Sequence, residues 1–403
     1  MQKPPCPDCG STPVNHKFEK VKTFIDHTNE QYLAFLSRLV SRLGFMEPYA
    51  EKFALPLLKM SVALGLGKIN TGPKDYDIKR TKVLWEAARE YGIQLRKFEL
   101  FGNPTQIFWA TYQGINMVFM GLPRPRGWIS QSFDWMDNKY ILGEKLIAAG
   151  MPAPKGAKAW TEKQALKLFG ELRKPLIIKP ILGSLSRHTS LHLNTMEEFL
   201  NGFRKAKQIS AWVMVQEELE GLGIYRPTII GGKLVGIVNK EPPHVVGTGS
   251  DTVKHLVDQE NARPQRQGPI FHFIPTDEAA SKYLNAQGWR WDSVPEPGKV
   301  IVFSDKTSRT IGGSITDYTD TAHPDNIALF EKIGRLLNDP IIGIDFIIGD
   351  MKKSWKEQER CGVIECNSLP FIDLHDYPLN GTPRHPARDI WKLAYPSLRP
   401  AAV

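Results

Sequence analysis

Two apolar runs near the C-terminus carry acidic and amide residues where a core strand normally has none. The runs IIGIDFIIGD (341–350) and GVIECNSLP (362–370) flank a charged connector and predict the two strands of a hairpin. Side chains alternate between the faces of a strand. One face of the first run therefore carries Ile342, Ile344, Phe346 and Ile348, and the other carries Gly343, Asp345 and Ile347.

The same alternation in the second run groups Val363 with Glu365 and Asn367, opposite Ile364 and Cys366. If the runs pair, Asp345, Glu365 and Asn367 converge on one surface. Two carboxylates and an amide oxygen form a ligand set suited to Mg²⁺. The alternative is a hairpin whose polar face is simply solvated, as antiparallel strands often are.

Composition narrows the class of protein. The 403 residues are 41% hydrophobic and 24% charged, which is typical of a globular chain with more than one domain. No apolar run is long enough to span a membrane, and the start MQKPPCPDCG lacks the apolar core of a signal peptide. Four cysteines are too few for a disulfide framework, so a cytoplasmic location is expected. The net charge of +9 would suit an acidic substrate or a polyanion, or is simply a solvated basic surface.

Two lysines stand in unusual surroundings. Lys179 lies inside PLIIKP, a predicted strand that is otherwise apolar, and a lysine there needs a compensating anion. The polar stretch ILGSLSRHTS follows, and its serines, Ser184 and Ser186 among them, could donate to phosphate or could form an ordinary hairpin turn. Lys139 begins a predicted helix, where taken alone it reads as a surface lysine.

From residue 155 onward, strands alternate with helices, which predicts an α+β architecture. Five motifs, the first of which begins at Asp137, occur in the order and rough spacing of ATP-grasp carboxylate–amine ligases: DNKYILGEKLIAAGMPAPKG, LIIKP, VMVQEELEG, GIDFIIGD and VIECNSLP. The stretches TIGGSITDYTDTAHPDN and NSLPFIDLHDYPLNGTPR further resemble the ATP-grasp modules of cyanophycin synthetase and of bifunctional glutathione synthase. The resemblance covers about residues 131–395.

This resemblance implies an ATP-grasp fold, in which two α+β subdomains clamp ATP. The implied division is an N-terminal helical extension (1–74), a pre-ATP-grasp-like segment (75–130) and the ATP-grasp domain (131–403). Within that domain the first subdomain would cover 131–212 and the second 213–403, with an insertion at about 241–300.

The resemblance also implies roles for individual residues. Lys139 and Lys179 would hold ATP phosphates, with Ser184 and Ser186 nearby, and Gln216, Glu217 and Leu219 would form the adenine hinge. Asp345, Glu365 and Asn367 would hold two Mg²⁺ ions. Gly312 and Gly313 would lie where related ligases place the acceptor substrate, and Arg309 and Lys306 would neutralise the acyl-phosphate. The implied activity is an ADP-forming ligation of a carboxylate to an amine, with amino acids or peptides as substrates.

The chain departs from the pattern of its relatives after the hinge. Gly223 and Ile224 stand where relatives usually carry an acidic residue for the ribose hydroxyls. A catalytically inactive nucleotide-binding scaffold is therefore an alternative. Neither a membrane partner nor a nucleic-acid partner is expected, whereas a homo-oligomer is compatible with the sequence.

A CxxC pair, Cys6 and Cys9, resembles a zinc knuckle. His16 and His27 could complete a structural Zn²⁺ site, but a second CxxC is missing. A zinc-knuckle nucleic-acid-binding protein is the corresponding alternative function, and it is disfavoured because basic residues are not clustered among aromatic ones.

Overall fold

The computed structural model describes residues 6, 9, 14–21, 23–24, 47–125, 128, 135–136, 138–181, 187–221, 223–268 and 270–398. Ser184, Ser186, His27 and most of the expected N-terminal helices between residues 25 and 46 lie outside this described part. No helix within it is long and apolar enough to cross a bilayer.

The first sheet is antiparallel and has the strand order β1-β2-β3-β4. A tight turn at Gln113 and Gly114, both with positive φ, joins β3 to β4. The elements of this region are α1 (Glu47–Ala63), β1 (Gly67–Asn70), α2 (Lys79–Glu90), β2 (Gln94–Leu100), β3 (Asn103–Tyr112) and β4 (Ile115–Met120). Because β1 pairs with β2, this sheet extends across residue 74, where the sequence divided the chain.

The second sheet has the order β5-β8-β6-β7. Two of its helices begin at capping boxes formed by Thr161 and Thr195. In each box the threonine side chain accepts a hydrogen bond from the backbone N–H three residues later, and the side chain of that later residue accepts one from the threonine N–H. The elements are α3 (Lys139–Ala148), β5 (Gly156–Ala159), α4 (Glu162–Glu171), β6 (Leu176–Pro180), β7 (Ser190–Leu193), α5 (Met196–Lys207) and β8 (Val213–Glu217). The sheet thus extends past residue 212, because β8 pairs with both β5 and β6.

The third sheet has the order β13-β10-β9-β14-β15. The two-stranded sheet β11–β12 and two helices form a separate unit between β10 and β13, within and just beyond the expected insertion. The elements are β9 (Ile224–Ile230), β10 (Lys233–Glu241), β11 (His244–Val246), α6 (Val253–Asn261), α7 (Glu278–Ala286), β12 (Val300–Val302), β13 (Ser314–Asp317), α8 (Pro324–Leu337), β14 (Ile341–Ile347), β15 (Gly362–Asn367), α9 (Asp373–Asp376) and α10 (Pro386–Ala394), with 3₁₀ turns at Pro264–Arg266, Arg309–Ile311 and Trp355–Glu357.

Helix α8 covers one face of the third sheet. Phe330 of α8 meets Phe346 of β14 edge to face, with ring centroids 5.1 Å apart. The predicted apolar face of β14 is confirmed, since its members are fully buried in this core: Ile342, Ile344, Phe346 and Ile348. The opposite face of the same strands is therefore left for charged groups.

The face predicted for Val363 is wrong. Asp345 pairs with Glu365, but the next residue, Phe346, pairs with Val363, so Ile364 is an extra residue in β15. Such a bulge resets the alternation of side chains. Val363 therefore lies in the core with Cys366 instead of sharing a face with Glu365.

Within the first sheet, the Lys97 ammonium is buried against the carboxylate of Asp77, each side chain being 1% exposed. Removing one member of a buried pair leaves an uncompensated charge, which costs about 3–5 kcal/mol. We expect Asp77→Asn to lower the free energy of unfolding by that amount in denaturant titrations.

The double variant Asp77→Asn/Lys97→Met should recover part of this loss, because it removes the remaining charge. Lys282→Ala is the matched control, since it breaks an exposed pair with Glu278 and should change stability by less than about 1 kcal/mol. Equal effects of Asp77→Asn and Lys282→Ala would contradict the assignment.

Candidate active site

Three neighbouring strands of the third sheet each place one charged side chain on the face opposite α8. Arg226 of β9 donates two hydrogen bonds to Asp345 of β14, from Nε to Oδ1 and from Nη2 to Oδ2 (2.7 Å). Lys240 of β10 donates to the same carboxylate from Nζ at 3.3 Å. Asp345 and Arg226 are buried, with 6% and 5% exposure. One carboxylate thus holds two cations together inside the protein.

The ionisation of Asp345 follows from these contacts. Burial alone would raise the pKa of its carboxyl group, but the charges of Arg226 and Lys240 outweigh burial and hold the pKa below its ordinary value. Burial lowers the pKa of Lys240, and the charge of Asp345 opposes that shift. Asp345 is therefore an anion at neutral pH.

Glu365 and Asn367 lie on the same face as Asp345, on the adjacent strand β15. Asp345 pairs directly with Glu365, and Gly343 pairs with Asn367. Directly opposed residues in antiparallel strands present their side chains on one face. The structure therefore brings together the three oxygen-bearing side chains that the sequence singled out.

The two lysines singled out by the sequence lie near this carboxylate cluster on different elements. Lys139 is on α3, which packs in the core of the third sheet, and Lys179 is on β6 of the second sheet. Lys139 is the first residue of α3, which Asn138 caps, and its Nζ lies 3.7 Å from Oε2 of Glu365. Lys179 is half-buried on β6. Burial, followed by repulsion from Lys139, lowers the pKa of Lys179 to about 8, against a weaker opposing effect of Glu365. Glu365 of the third sheet therefore interacts electrostatically with both lysines.

The segment that connects the two sheets follows β8. Gln216 is buried within β8, where it pairs with Gly156 and Ile177, and the Glu217 carboxylate accepts a hydrogen bond from the backbone N–H of Arg173. Leu219 is half-buried, and its N–H has no acceptor among the described residues.

Arg360 fastens this connecting segment to the third sheet. It lies in the connector between β14 and β15, and its guanidinium donates to three backbone carbonyls: Glu218 (2.9 Å from Nε), Lys174 (3.0 Å from Nη1) and Pro175 (3.5 Å from Nη2). The Glu220 N–H in turn donates to the Arg360 carbonyl at 2.9 Å. The β14–β15 hairpin and the segment after β8 are therefore held as one unit.

Arg309 and Lys306 lie in the segment after β12. Arg309 donates from Nη2 to Asp373 Oδ2 at 2.7 Å, whereas Lys306 is exposed. The cations that contact Asp345 are instead Arg226 and Lys240.

Gly312 and Gly313 follow the same segment. Gly312 has φ +86°, and a Cβ there would lie 2.6 Å from Cα of Ile274, so close packing of the backbone already requires glycine at this position. The acceptor role implied for the two glycines stays a prediction.

Helix α9 links Arg309 to the centre of the third sheet. His375 of α9 is fully buried and shares a 2.7 Å hydrogen bond with the Thr228 hydroxyl of β9. Burial, then the charge of Arg226, lowers the pKa of His375 to about 3, so this imidazole is neutral at physiological pH. Asp373, on the same helix, is buried and pairs with Arg309.

Sequence reasoning missed Arg226, Lys240 and Arg360. A signal was present for the first two, because each interrupts an apolar strand, YRPTII and LVGIVNK, in the way that Lys179 interrupts PLIIKP. No such signal exists for Arg360, which lies in a charged connector and resembles a surface residue.

Comparison with known proteins finds relatives that match part of the chain. No family model matches the chain. Cyanophycin synthetase from Synechocystis sp. is 28% identical over 268 residues, which cover 63% of this chain and 30% of that protein. The glutathione biosynthesis bifunctional protein GshAB from Clostridium perfringens is 27% identical over 267 residues, which cover 64% of this chain and 34% of that protein. The chain thus matches about a third of the length of these relatives.

A solved structure agrees with these sequence matches. The bifunctional glutathione synthetase from Pasteurella multocida superposes with a TM-score of 0.59 at 22% identity, covering 79% of this chain and 43% of that one. The chain therefore has the α+β ATP-grasp fold, as its motifs indicated.

The contacts of Asp345 and Glu365 predict different effects of neutralising each. Asp345→Asn leaves Arg226 and Lys240 buried without their anion, so we expect the free energy of unfolding to fall by about 3–5 kcal/mol. Glu365→Gln should cost less than about 1 kcal/mol, because its side chain is 35% exposed and its contact with Lys139 is longer. Denaturant titration of both variants is the measurement, and equal losses would contradict this account of the site.

Proposed function

We propose that this chain is an ATP- and Mg²⁺-dependent ligase that forms an amide bond between a carboxylate and an amine. A carboxylate oxygen would attack the γ-phosphorus of ATP, and ADP would leave with the bridging oxygen. The amine nitrogen would then attack the acyl-phosphate carbon, releasing inorganic phosphate and one proton. One of the relatives named above is cyanophycin synthetase, and a synthetase among the relatives supports this class of reaction.

The observation that carries the proposal is that Lys139 of α3 and Lys179 of the second sheet both lie near the carboxylates of the third sheet. Lys139 lies 3.7 Å from Glu365, and Lys139 and Glu365 shift the pKa of Lys179 in opposite directions. Lys139 and Lys179 repel each other, and a phosphate group bound between them would relieve that repulsion. A polyphosphate that contacts both lysines and lies close to the carboxylates would therefore fit at this position.

The chemistry of the donor set fits Mg²⁺. Glu365 and Asn367 offer a carboxylate and an amide oxygen from one face of the strand pair, and Oδ2 of Asp345, which among the described residues accepts a hydrogen bond only from Arg226, keeps a lone pair for a third ligand. Hard oxygen ligands are those that Mg²⁺ prefers. These side chains would hold Mg²⁺, which would supply positive charge to offset the charge of the phosphates during phosphoryl transfer.

The protein's own cations would act on the transferred group. Arg226 and Lys240 are fixed by Asp345, so their charges are already oriented before any substrate binds. Preorganised charges stabilise a transition state without the cost of reorganisation. We assign to this pair the role that the sequence had suggested for Arg309 and Lys306, namely to stabilise the negative charge of the acyl-phosphate.

Adenine would be held by the end of β8 and the segment that follows it. Gln216 and Glu217 are fixed by strand pairing and by the Arg173 N–H, and the Leu219 N–H is directed to no acceptor among the described residues. A backbone donor on a rigid segment suits recognition of a base edge.

The surroundings of Asp373 favour an acid or amino-acid substrate. Arg80 and Arg309 both approach this single carboxylate, and the charge of Lys79 adds to theirs. Within the described residues, Arg80 Nε and Arg309 Nη1 are buried without a hydrogen-bond partner. A buried guanidinium with an unused donor suits a carboxylate. Amino acids and short peptides carry such a group, so they are the substrates we favour.

The products test the proposed reaction. The purified chain is incubated with ATP, Mg²⁺, hydroxylamine and single amino acids or short peptides, and we expect one acid to give a hydroxamate together with ADP. Glu365→Gln and Lys139→Ala should lower the rate at least about 100-fold, because each removes stabilisation of the transferred phosphoryl group.

The exposed variant Glu359→Gln, which carries the same chemical change as Glu365→Gln, should keep the full rate. Formation of AMP and pyrophosphate would indicate an acyl-adenylate intermediate instead of an acyl-phosphate, and it would contradict the proposal. ATP binding without any turnover across the whole screen would favour the inactive scaffold.

The lowered pKa of Lys179 predicts a proton linkage. With a pKa of about 8, Lys179 is about half neutral at pH 8, and a bound phosphate favours its charged form. ADP or ATP binding at pH 8 should therefore take up about half a proton, and affinity should fall as the pH rises through 8. Calorimetry in buffers of different ionisation enthalpy measures this uptake.

Lys179→Arg should bind nucleotide without proton uptake, because a guanidinium stays charged at this pH. Lys163→Arg, at an exposed position of α4, is the matched control and should behave as the unaltered chain does. If proton uptake persists in Lys179→Arg, the group that titrates is a residue other than Lys179.

A further inference from the structure

Four potential metal ligands from distant parts of the chain meet outside the candidate active site. The ligand atoms of Cys6, Cys9, His16 and His188 all lie within 4.8 Å of one another. The first three belong to the N-terminal segment, and His188 lies just before β7 of the second sheet. The sequence suggested Cys6, Cys9 and His16 for such a site, but gave no reason to include His188.

We propose that these four side chains bind one Zn²⁺ ion, which fastens the N-terminal segment to the second sheet. Two cysteines and two histidines are a common structural zinc set. Zinc bonds of about 2.3 Å to sulfur and about 2.0 Å to nitrogen, at tetrahedral angles, place sulfur and nitrogen ligands roughly 3.6 Å apart. The Cys9–His16, Cys9–His188 and Cys6–His188 distances from Sγ to Nε2 are 3.3, 3.5 and 3.8 Å.

The local backbone around Cys6 suits metal binding. The Cys9 N–H donates to the Cys6 carbonyl at 3.1 Å, which ties the two cysteines to each other, and the sulfur of each lies within 3.8 Å of His188 Nε2. Cys9 is buried and Cys6 is half-buried. Both thiols are therefore close to the same imidazole nitrogen before any metal binds.

The second contact of His188 selects the form of the imidazole that can bind a metal. Its Nδ1 lies 2.9 Å from the carbonyl oxygen of Lys205, near the C-terminus of α5. A carbonyl only accepts, so Nδ1 carries the proton and the lone pair of Nε2 points to the cysteines. Zinc-bound histidines typically donate their other nitrogen to a carbonyl or carboxylate in this way.

Charge balance is compatible with the burial of the cluster. Zinc binding would release one proton from each thiol, so two thiolates and two neutral imidazoles would offset the charge of the ion. The resulting neutral site avoids the cost of a buried net charge. His188 is fully buried, which suits such a neutral complex.

Further contacts show that the N-terminal segment already lies against the same region. The Thr23 hydroxyl donates to the carbonyl of Ile209 at 3.3 Å, and the ring of Phe24 meets Trp160 edge to face at 5.9 Å. Ile209 follows α5 and Trp160 follows β5. The ion would therefore add a strong link to a weak docking surface.

Metal analysis of the full chain tests the proposal. The protein is purified without chelator, dialysed, and assayed for zinc by mass spectrometry. We expect about one equivalent in the unaltered chain and less than about 0.2 equivalents in Cys6→Ser, Cys9→Ser, His16→Ala and His188→Ala. Matched controls are Cys361→Ser, a buried cysteine elsewhere, and His192→Ala, an exposed histidine of β7, and both should keep the metal.

Replacement of one ligand type by another separates ligation from a structural role. His188→Cys supplies a thiolate at the same place, so it should regain zinc that His188→Ala loses. Cobalt added to the metal-free chain should give the visible bands of a tetrahedral site with thiolate ligands. Should His188→Ala fail to fold, Cys6→Ser and His16→Ala decide the test, since both positions are only partly buried.

Two results would overturn the proposal. A chain without zinc that also gives no tetrahedral cobalt spectrum has no such site. A chain that keeps zinc with unchanged affinity in folded His188→Ala has a site confined to the N-terminal segment, and the link to the second sheet is then wrong. Limited proteolysis provides an independent readout, because chelation should speed cleavage within residues 14–24 if the ion holds that segment down.

Discussion

The carboxylate of Asp345 is the group on which the candidate active site depends. Burying an ion costs several kcal/mol even after the protein relaxes, and here an anion and a guanidinium are almost fully buried, with an ammonium beside them. Each is tolerable only because the others are present. The sequence had suggested Asp345 as a Mg²⁺ ligand, and the structure shows that Arg226 and Lys240 already balance its buried charge. The metal proposed for this site would join a charge cluster that is balanced without it.

Much of the fold could be predicted because the signals are local. Helix α5 follows from the capping residue Thr195, the turn between β3 and β4 from Gln113 and Gly114, and the buried face of β14 from simple alternation. The polar face of that hairpin was predicted for the same reason. These features depend on residues that are neighbours in the chain or on adjacent strands.

The remaining features depend on contacts that local patterns do not encode. The bulge at Ile364 moves Val363 into the core, and nothing in VIECN distinguishes a bulged strand from a regular one. Arg226 and Lys240 meet Asp345 only because β10, β9 and β14 are neighbours in the sheet. His188 joins the cysteines from far along the chain, so its role could not be read from spacing.

The three contacts of Arg360 restrict how the second and third sheets can move relative to each other. Its planar guanidinium holds one carbonyl of the connecting segment, that of Glu218, and two carbonyls just before β6, so sliding would break several hydrogen bonds at once. Rotation about that point is less restricted. Displacement in a rotation grows with distance from its pivot, so the sheets act as lever arms. A small rotation about Arg360 would then leave the connecting segment almost in place while the far ends of the two sheets separate.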